Sequence, residues 1–182
     1  MHRTYAAHGF FVNSCRRDLK RSMQAACYTD DMDTTINLEG TLANLGLTSA
    51  NSIVIGSGIL GALGIRKSND IDVTVTAETY IHLSKEASFH EKQHHGHPVL
   101  VAGDLEVGTN WIVLGKNQTL DDLVKHSLIL DGVRYVTLDF LLAVKRSWLE
   151  EDDEVRPKDR VDVQLIENYL TAHEGGRYGD DS

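Results

Sequence analysis

Residues 52–73 of this 182-residue chain have the sequence SIVIGSGILGALGIRKSNDIDV, and this stretch decides the expected fold. The run Ser52–Ile55 is short and apolar, which predicts a buried strand. The turn Gly56–Gly58 and a series of small residues follow, and these favour a helix packed closely on that strand. Asp70 and Asp72 then open a second, β-branched strand. Residues i and i+2 of a strand point to the same face, so we expect these two carboxylates to project together.

Two carboxylates on one strand face repel each other unless a cation lies between them. Mg²⁺, a hard cation that prefers oxygen ligands, is the usual occupant of such a pair. Asp70 alone, preceded by Ser68 and Asn69, is equally typical of a turn before a strand. The glycine turn upstream at this spacing favours the metal site.

The combination resembles the nucleotidyltransferase superfamily, which includes DNA polymerase beta and the aminoglycoside and lincosamide nucleotidyltransferases. The shared pattern is an apolar residue, Gly, then Gly or Ser, with Asp-x-Asp downstream and a third carboxylate on a later strand. The resemblance extends from about residue 38 to residue 170. It implies an α/β (α+β) domain over residues 36–172, with a small mixed β-sheet flanked by helices. We expect an N-terminal helical segment over 1–35 and a flexible tail over 173–182.

The resemblance implies a reaction as well as a fold. A nucleoside monophosphate would pass from a nucleoside triphosphate, ATP or another, to a hydroxyl of an unidentified acceptor, and pyrophosphate would be released. Two Mg²⁺ ions are the expected cofactors. Asp70 and Asp72 are assigned to the metals, and Glu106 to the third role as ligand or base. Many family members have Asp at the third position, so Glu106 is a departure, and Asp104 is the second candidate.

Gly56 and Ser57 are the predicted triphosphate-binding residues. Glycine permits close backbone approach, and the helix that follows presents free N–H groups to an anion. Arg66 and Lys67 lie just before the carboxylates and are expected to pair either with phosphate or with the acids. Lys145 is a further candidate phosphate ligand.

The C-terminal block is similar to that of many small bacterial nucleotidyltransferase-fold proteins. Lys145 lies on one predicted helix, and Lys158-Asp159-x-x-Asp162 opens the next. Asp159 and Asp162 share a helix face. We expect them to be structural, connecting the last helix to Lys145 or Arg66, with phosphate binding by Lys145 or Lys158 as the alternative.

Four histidines lie between His90 and His97. Gly96 and Pro98 predict an irregular loop here, and the loop is a candidate neighbour of the acceptor. A zinc-binding module is the alternative, since His90 and His94 are four residues apart and His is a common zinc ligand.

Elsewhere, hydrophobic periodicity and turn residues predict the remaining elements. The predicted strands are 71–76, 99–102, 105–107 and Val133–Val136, the last of them at an edge of the sheet, and the predicted helices lie over 78–88, after Thr119, after Thr137 and over 158–170.

Composition restricts the partners. The formal net charge of −9 disfavours nucleic acid as the main partner, because affinity for its backbone depends on neutralising phosphates. It slightly favours a cationic small molecule as acceptor, with a protein side chain as another possibility. No run of about 18 apolar residues occurs, so no membrane span is expected. The N-terminus lacks a signal-peptide pattern, and the two cysteines, Cys15 and Cys27, fit a reduced, cytoplasmic setting.

A second hypothesis belongs to another class of function. A catalytically inactive protein of the same fold would bind a nucleotide or a partner protein, as a toxin–antitoxin component does, and an oligomer is compatible with either hypothesis. The third carboxylate discriminates between them, since a two-metal site needs Glu106 or Asp104 next to Asp70 and Asp72.

Overall fold

The computed structural model describes residues 38–94, 96–151 and 156–174. The helical segment predicted over 1–35 lies outside these residues, with both cysteines, and so does most of the predicted tail. None of the helices in the described ranges is long and apolar enough to cross a membrane.

The described residues form a mixed sheet with helices packed against it, as the sequence predicts. The helices are α1 (Leu38–Asn44), α2 (Gly58–Ala62), α3 (Ala77–Leu83), α4 (Leu120–Val124), α5 (Leu138–Glu151) and α6 (Pro157–Glu174). The strands are β1 (Ser52–Ile55), β2 (Ile71–Val75), β3 (His90–His94), β4 (His97–Ala102), β5 (Leu105–Gly108), β6 (Asn110–Val113), β7 (Lys116–Thr119), β8 (Ser127–Leu130) and β9 (Val133–Val136).

Seven of the strands form one sheet in the order β3-β4-β5-β2-β1-β9-β8, while β6 and β7 form a separate hairpin. Strand β2 is central, antiparallel to β1 and parallel to β5. Residues 52–73 therefore supply two neighbouring central strands, β1 and β2. The acidic strand, β2, lies between β1 and β5.

Helix α3 is shorter than the helix predicted over 78–88. It begins after Thr76, whose hydroxyl accepts a hydrogen bond from the backbone N–H of Thr79 at 3.2 Å. Leu83 is its last residue and is buried, whereas residues 84–88 are exposed. Without a further apolar side chain to pack on the sheet, helix propensity alone does not extend the element.

The prediction of an irregular loop over His90–His97 is wrong. This segment is a β-hairpin in which β3 and β4 pair antiparallel, with Gly96 in the turn at φ +79°. Pro98 lies within β4, before the residues that pair with β5. The N–H that proline lacks therefore removes no hydrogen bond between β4 and β5. All of β3 is exposed, and its polar sequence has none of the alternation that marks a half-buried strand.

The edge position predicted for β9 is also wrong. Strand β9 lies between β1 and β8, and β8 forms the edge. Asp131 and Gly132, at φ +47° and +78°, make the two-residue turn that joins β8 to β9. An Asp-Gly pair between apolar runs is a strong hairpin signal, and it identifies the strand that the sequence prediction lacks.

Helix α2 packs very closely on β1. A Cβ added to Gly58 would lie 2.4 Å from the Cγ1 of Val54, whose side chain is fully buried. This contact fixes the distance between the helix and the strand, and so the shape of the turn at Gly56 that joins them.

We predict that Gly58→Ala lowers the free energy of unfolding by about 1–3 kcal/mol, because the added methyl group overpacks the contact with Val54. Gly61→Ala is the matched control in the same helix. Its Cβ would meet neighbours only at 3.7 Å or more, and the change should be neutral or stabilising by up to about 1 kcal/mol. Urea unfolding measures both variants, and equal effects of the two would contradict the packing argument.

Candidate active site

The central strands bring two of the predicted carboxylates together. Asp72 on β2 pairs in register with Glu106 on the parallel neighbour β5, so both side chains lie on one face of the sheet. Asp70 directly precedes β2, and its side chain is 55% exposed. Asp104, the second candidate for the third position, lies exposed in the β4–β5 turn, where its carbonyl accepts the N–H of Ile71 at 2.9 Å. Of the two candidates, the structure places Glu106 beside Asp72.

The electrostatics of Asp72 show how close these charges are. Burial, followed by the negative charges of Asp70 and Glu106, raises the pKa of Asp72 from 3.8 to about 6. His94 and Lys158 oppose the shift without cancelling it. Carboxylates under mutual repulsion in a partly buried setting are the donor class that a hard divalent cation satisfies.

Glu106 is held by two side chains of β3. Its Oε2 lies 2.6 Å from the Nζ of Lys92, and its Oε1 is hydrogen-bonded to the Nδ1 of His94. Burial alone would raise the pKa of Glu106, but the hydrogen bonds from Lys92 and His94 hold it below its ordinary value. The sequence predicts neither Lys92 nor His94 as a partner of Glu106, because both lie in the segment expected to be an irregular loop.

This arrangement tests the predicted metal site. The oxygen donors of Asp70, Asp72 and Glu106 are of the right class for Mg²⁺. Within the described ranges, however, no three His, Cys, Asp or Glu side chains converge as a ready-made metal site. The three carboxylates are suitable magnesium ligands by chemical type. Glu106, however, is hydrogen-bonded to Lys92 and His94. The lack of such a group among the described residues also gives no support to the predicted zinc-binding module. One of its histidines, His95, lies outside the described residues.

The glycine turn lies against the carboxylates. Gly56 has φ +62°, a conformation that favours glycine, and a Cβ there would lie 3.1 Å from the Oδ2 of Asp72. The hydroxyl of Ser57 lies 3.0 Å from that of Ser68, in the loop that leads to Asp70. The two residues predicted to hold phosphate therefore border the acidic strand directly.

The expected connection between the last helix and the basic residues is present and involves both of them. The Nζ of Lys145 lies 2.6 Å from Asp159 and 2.8 Å from Asp162. Arg66 donates to both oxygens of Asp162, at 2.5 and 2.8 Å. Lys145, Asp159 and Asp162 are almost fully buried. We call Arg66, Lys145, Asp159 and Asp162 the ion-pair cluster.

The charges in the ion-pair cluster stabilise one another. Burial would raise the pKa of Asp162, but hydrogen bonds from Arg66 and Lys145 lower it below its ordinary value. The hydrogen bond to Asp162 raises the pKa of Arg66. The cluster joins α5, α6 and the loop before Asp70. Arg66 and Lys145, two of the predicted phosphate-binding residues, are engaged within it.

The lysines Lys67 and Lys158 are exposed, in contrast to Lys145. The Nζ of Lys158 lies 3.9 Å from the Oδ2 of Asp70, and both side chains are 55% exposed. The carbonyl of Lys67 accepts a hydrogen bond from Nη1 of Arg66 at 2.8 Å.

Comparison with solved structures confirms the fold. The antibiotic-resistance factor ANT(2'')-Ia, an aminoglycoside nucleotidyltransferase, matches with a TM-score of 0.50 at 18% identity, over 75% of this chain and 86% of that one. The Megavirus polyadenylate synthase matches with a TM-score of 0.48 at 11% identity, over 95% of this chain but 40% of the viral protein. The match to ANT(2'')-Ia supports the resemblance at the level of the fold. No family model and no curated protein matches the chain.

We predict that Asp72→Asn raises the free energy of unfolding of the metal-free protein by about 1–2 kcal/mol at pH 7.5, because it removes a charge that burial and the neighbouring carboxylates disfavour. One pKa unit corresponds to about 1.4 kcal/mol, and the expected gain is reduced because Asp72 is partly exposed. The pKa is near 3.8 in the unfolded chain and about 6 in the folded one. The free energy of unfolding of the native protein therefore falls as the pH rises from about 3.8 to about 6, and it stays lower above that range.

Urea unfolding at pH 4 and pH 7.5 in buffer with EDTA tests this. The advantage of Asp72→Asn should be much smaller at pH 4, where the carboxyl is protonated in the folded state and close to half protonated in the unfolded chain. Asp104→Asn, an exposed change nearby, is the control and should show no gain. An advantage of the same size at both pH values would contradict the repulsion argument.

We predict that Lys145→Met lowers the free energy of unfolding by about 3 kcal/mol, because it leaves buried carboxylates short of a partner. Arg146→Met, on the next residue, breaks the exposed pair with Glu167 and should cost less than about 1 kcal/mol. Thermal and urea unfolding compare the two variants. Equal, small effects would show that the ion-pair cluster does not hold the C-terminal helices in place.

Proposed function

We propose that this chain is a Mg²⁺-dependent nucleotidyltransferase that moves a nucleoside monophosphate from a triphosphate, with ATP the first candidate, to an acceptor hydroxyl. The acceptor oxygen forms a bond to the α-phosphorus, the bond to the β-phosphate oxygen breaks, and pyrophosphate leaves. The observation that carries the proposal is the register of Asp72 beside Glu106, with Asp70 and the Gly56 turn at the same point.

Each site residue has a role in this proposal. Asp70 and Asp72 hold the metal. Bound Mg²⁺ ions would neutralise the triphosphate and favour the attacking hydroxylate. Glu106 accepts the proton of the acceptor hydroxyl or serves as the third ligand, and its lowered pKa keeps it ionised.

Phosphate binding falls to the glycine turn and the exposed cations. Gly56 permits the triphosphate to approach the backbone, and Ser57 offers its hydroxyl. Lys158, beside Asp70, and Lys67, three residues before it in the chain, are exposed and supply positive charge. We assign Arg66 and Lys145 to positioning rather than to direct phosphate contact, because the ion-pair cluster engages both. The cytoplasm, which supplies nucleoside triphosphates and Mg²⁺, is the compartment in which we place the reaction.

One observation favours the second candidate function. Both carboxylate oxygens of Glu106 are engaged by Lys92 and His94, and no three-ligand group exists among residues 38–94, 96–151 and 156–174. A protein that keeps this arrangement with nucleotide bound would lack the third carboxylate of a two-metal site. It would then act by binding a nucleotide or a partner protein.

We predict that the native chain binds at least one of ATP, GTP, CTP and UTP in a Mg²⁺-dependent way, and that Asp70→Asn/Asp72→Asn weakens binding by at least tenfold, about 1.4 kcal/mol. Isothermal titration with and without Mg²⁺ measures this, with Asp104→Asn as the exposed acidic control. Folding of each variant is checked by circular dichroism.

The outcomes separate the two functions. Mg²⁺-dependent binding that is lost in the double variant supports the proposal. Binding that is indifferent to Mg²⁺ and to both aspartates favours the inactive binding protein. A folded native chain that binds no triphosphate would contradict the proposed reaction.

A further inference from the structure

Strand β3 shares a face of the sheet with the acidic site. His90 pairs with Val101 on β4, Val101 with Glu106 on β5, and Glu106 with Asp72 on β2. Residues paired in register point to the same face, so this row runs from the edge of the sheet to its centre. By the alternation of a strand, Lys92 and His94 lie on the same face as His90. We call His90, Lys92 and His94 the basic strand face.

The basic strand face is both adjacent to the site and open to solvent. Lys92 and His94 contact Glu106, yet their side chains remain 47% and 48% exposed. No other strand of the described sheet lies beyond β3. A molecule that approaches Glu106 from this edge of the sheet therefore meets these side chains first.

The ionisable side chains that β3 itself places on this face are all basic, beside the carboxylates of Glu106 and Asp72 on the neighbouring strands. The acidic residue of β3, Glu91, pairs with Leu100 and points to the opposite face, where its carboxylate lies 3.5 Å from the hydroxyl of Tyr80. The basic strand face itself presents an ammonium and two imidazoles. Lys158 lies beside Asp70. A cationic acceptor would meet Lys92 at the point where its hydroxyl has to approach Glu106.

Lysine binds phosphate as a point charge, and histidine adds ring N–H donors that suit phosphate oxygens. The net charge of −9 disfavours a long polyanion, since repulsion acts over the whole surface. These two facts together favour a small anion.

We infer that the basic strand face binds the acceptor, and that the acceptor is a small hydroxyl compound that carries a phosphate group. This inference rests on the proposed function and reverses the preference for a cationic acceptor that net charge suggested. In it, Lys92 has two roles. It holds Glu106 in the absence of acceptor, and it contacts the acceptor phosphate when one is bound.

The test follows the imidazole signals of His90 and His94 by NMR in the full-length, ¹⁵N-labelled protein at constant pH. Glycerol 3-phosphate is the probe, glycerol is its uncharged match, and spermidine represents a cationic acceptor. We expect saturable shifts with glycerol 3-phosphate and none with glycerol. Loss of a charged contact in Lys92→Met should weaken that binding by about tenfold.

Two further variants keep the result interpretable. Lys92→Arg preserves the charge and should retain binding, while Lys116→Met removes an exposed lysine on β7, outside the main sheet, and should have no effect. Lack of any response to glycerol 3-phosphate would overturn the inference. Saturable shifts with spermidine at these histidines would overturn it in favour of a cationic acceptor.

ATP binding with Mg²⁺ is measured on the same sample. Intact ATP binding without a response to glycerol 3-phosphate rejects the acceptor assignment alone. A response of the basic strand face in a protein that binds no triphosphate rejects the proposed reaction and leaves an anion site on β3.

Discussion

Repulsion between carboxylates on neighbouring central strands is the constraint on which the site depends. Asp72 and Glu106 are fixed side by side by the register of β2 and β5, and Asp70 adds a third charge at the start of β2. Burial raises the pKa of Asp72 to about 6, and the negative charges of Asp70 and Glu106 add to that shift. Hydrophobic packing of the strands maintains the arrangement although it is unfavourable locally. Sites that hold unfavourable charges in this way are more often functional than structural.

Two groups of paired charges surround the site, and they differ in burial. The ion-pair cluster is buried and connects α5 and α6 to the loop before Asp70, so it fixes where the acidic strand begins. Lys92 and His94 neutralise Glu106 from an exposed strand, where water competes with every contact. The buried connection is expected to persist when a ligand binds, whereas the exposed one can exchange partners at little cost. In the function proposed above, this difference would separate the scaffold of the site from the part that meets a substrate.

Sequence alone predicted those parts whose signals are local. The strand, glycine turn, short helix and acidic strand over residues 52–73 follow from a short apolar run, a glycine turn, a series of small residues and a β-branched run. The link from Asp159 and Asp162 to Lys145 or Arg66 follows from their shared helix face and from the resemblance of the C-terminal block to nucleotidyltransferase-fold proteins. The sequence does not predict strand β3, because an exposed polar strand has no hydrophobic period. The contacts of Lys92 and His94 with Glu106 depend on two successive hairpins, β3–β4 and β4–β5, and so could not be predicted once β3 was not. The turn at Asp131 and Gly132 carried a usable signal that identifies β8.

The most direct test of the central claim is a crystal structure with Mn²⁺ and a non-hydrolysable ATP analogue, in which anomalous scattering locates the metal. We expect an anomalous peak at the carboxylates of Asp70 and Asp72, with the triphosphate along Gly56 and Ser57. We also expect that Glu106 is released from at least one of Lys92 and His94. A bound nucleotide with no metal at these aspartates, and with Glu106 still held by both partners, would contradict both expectations.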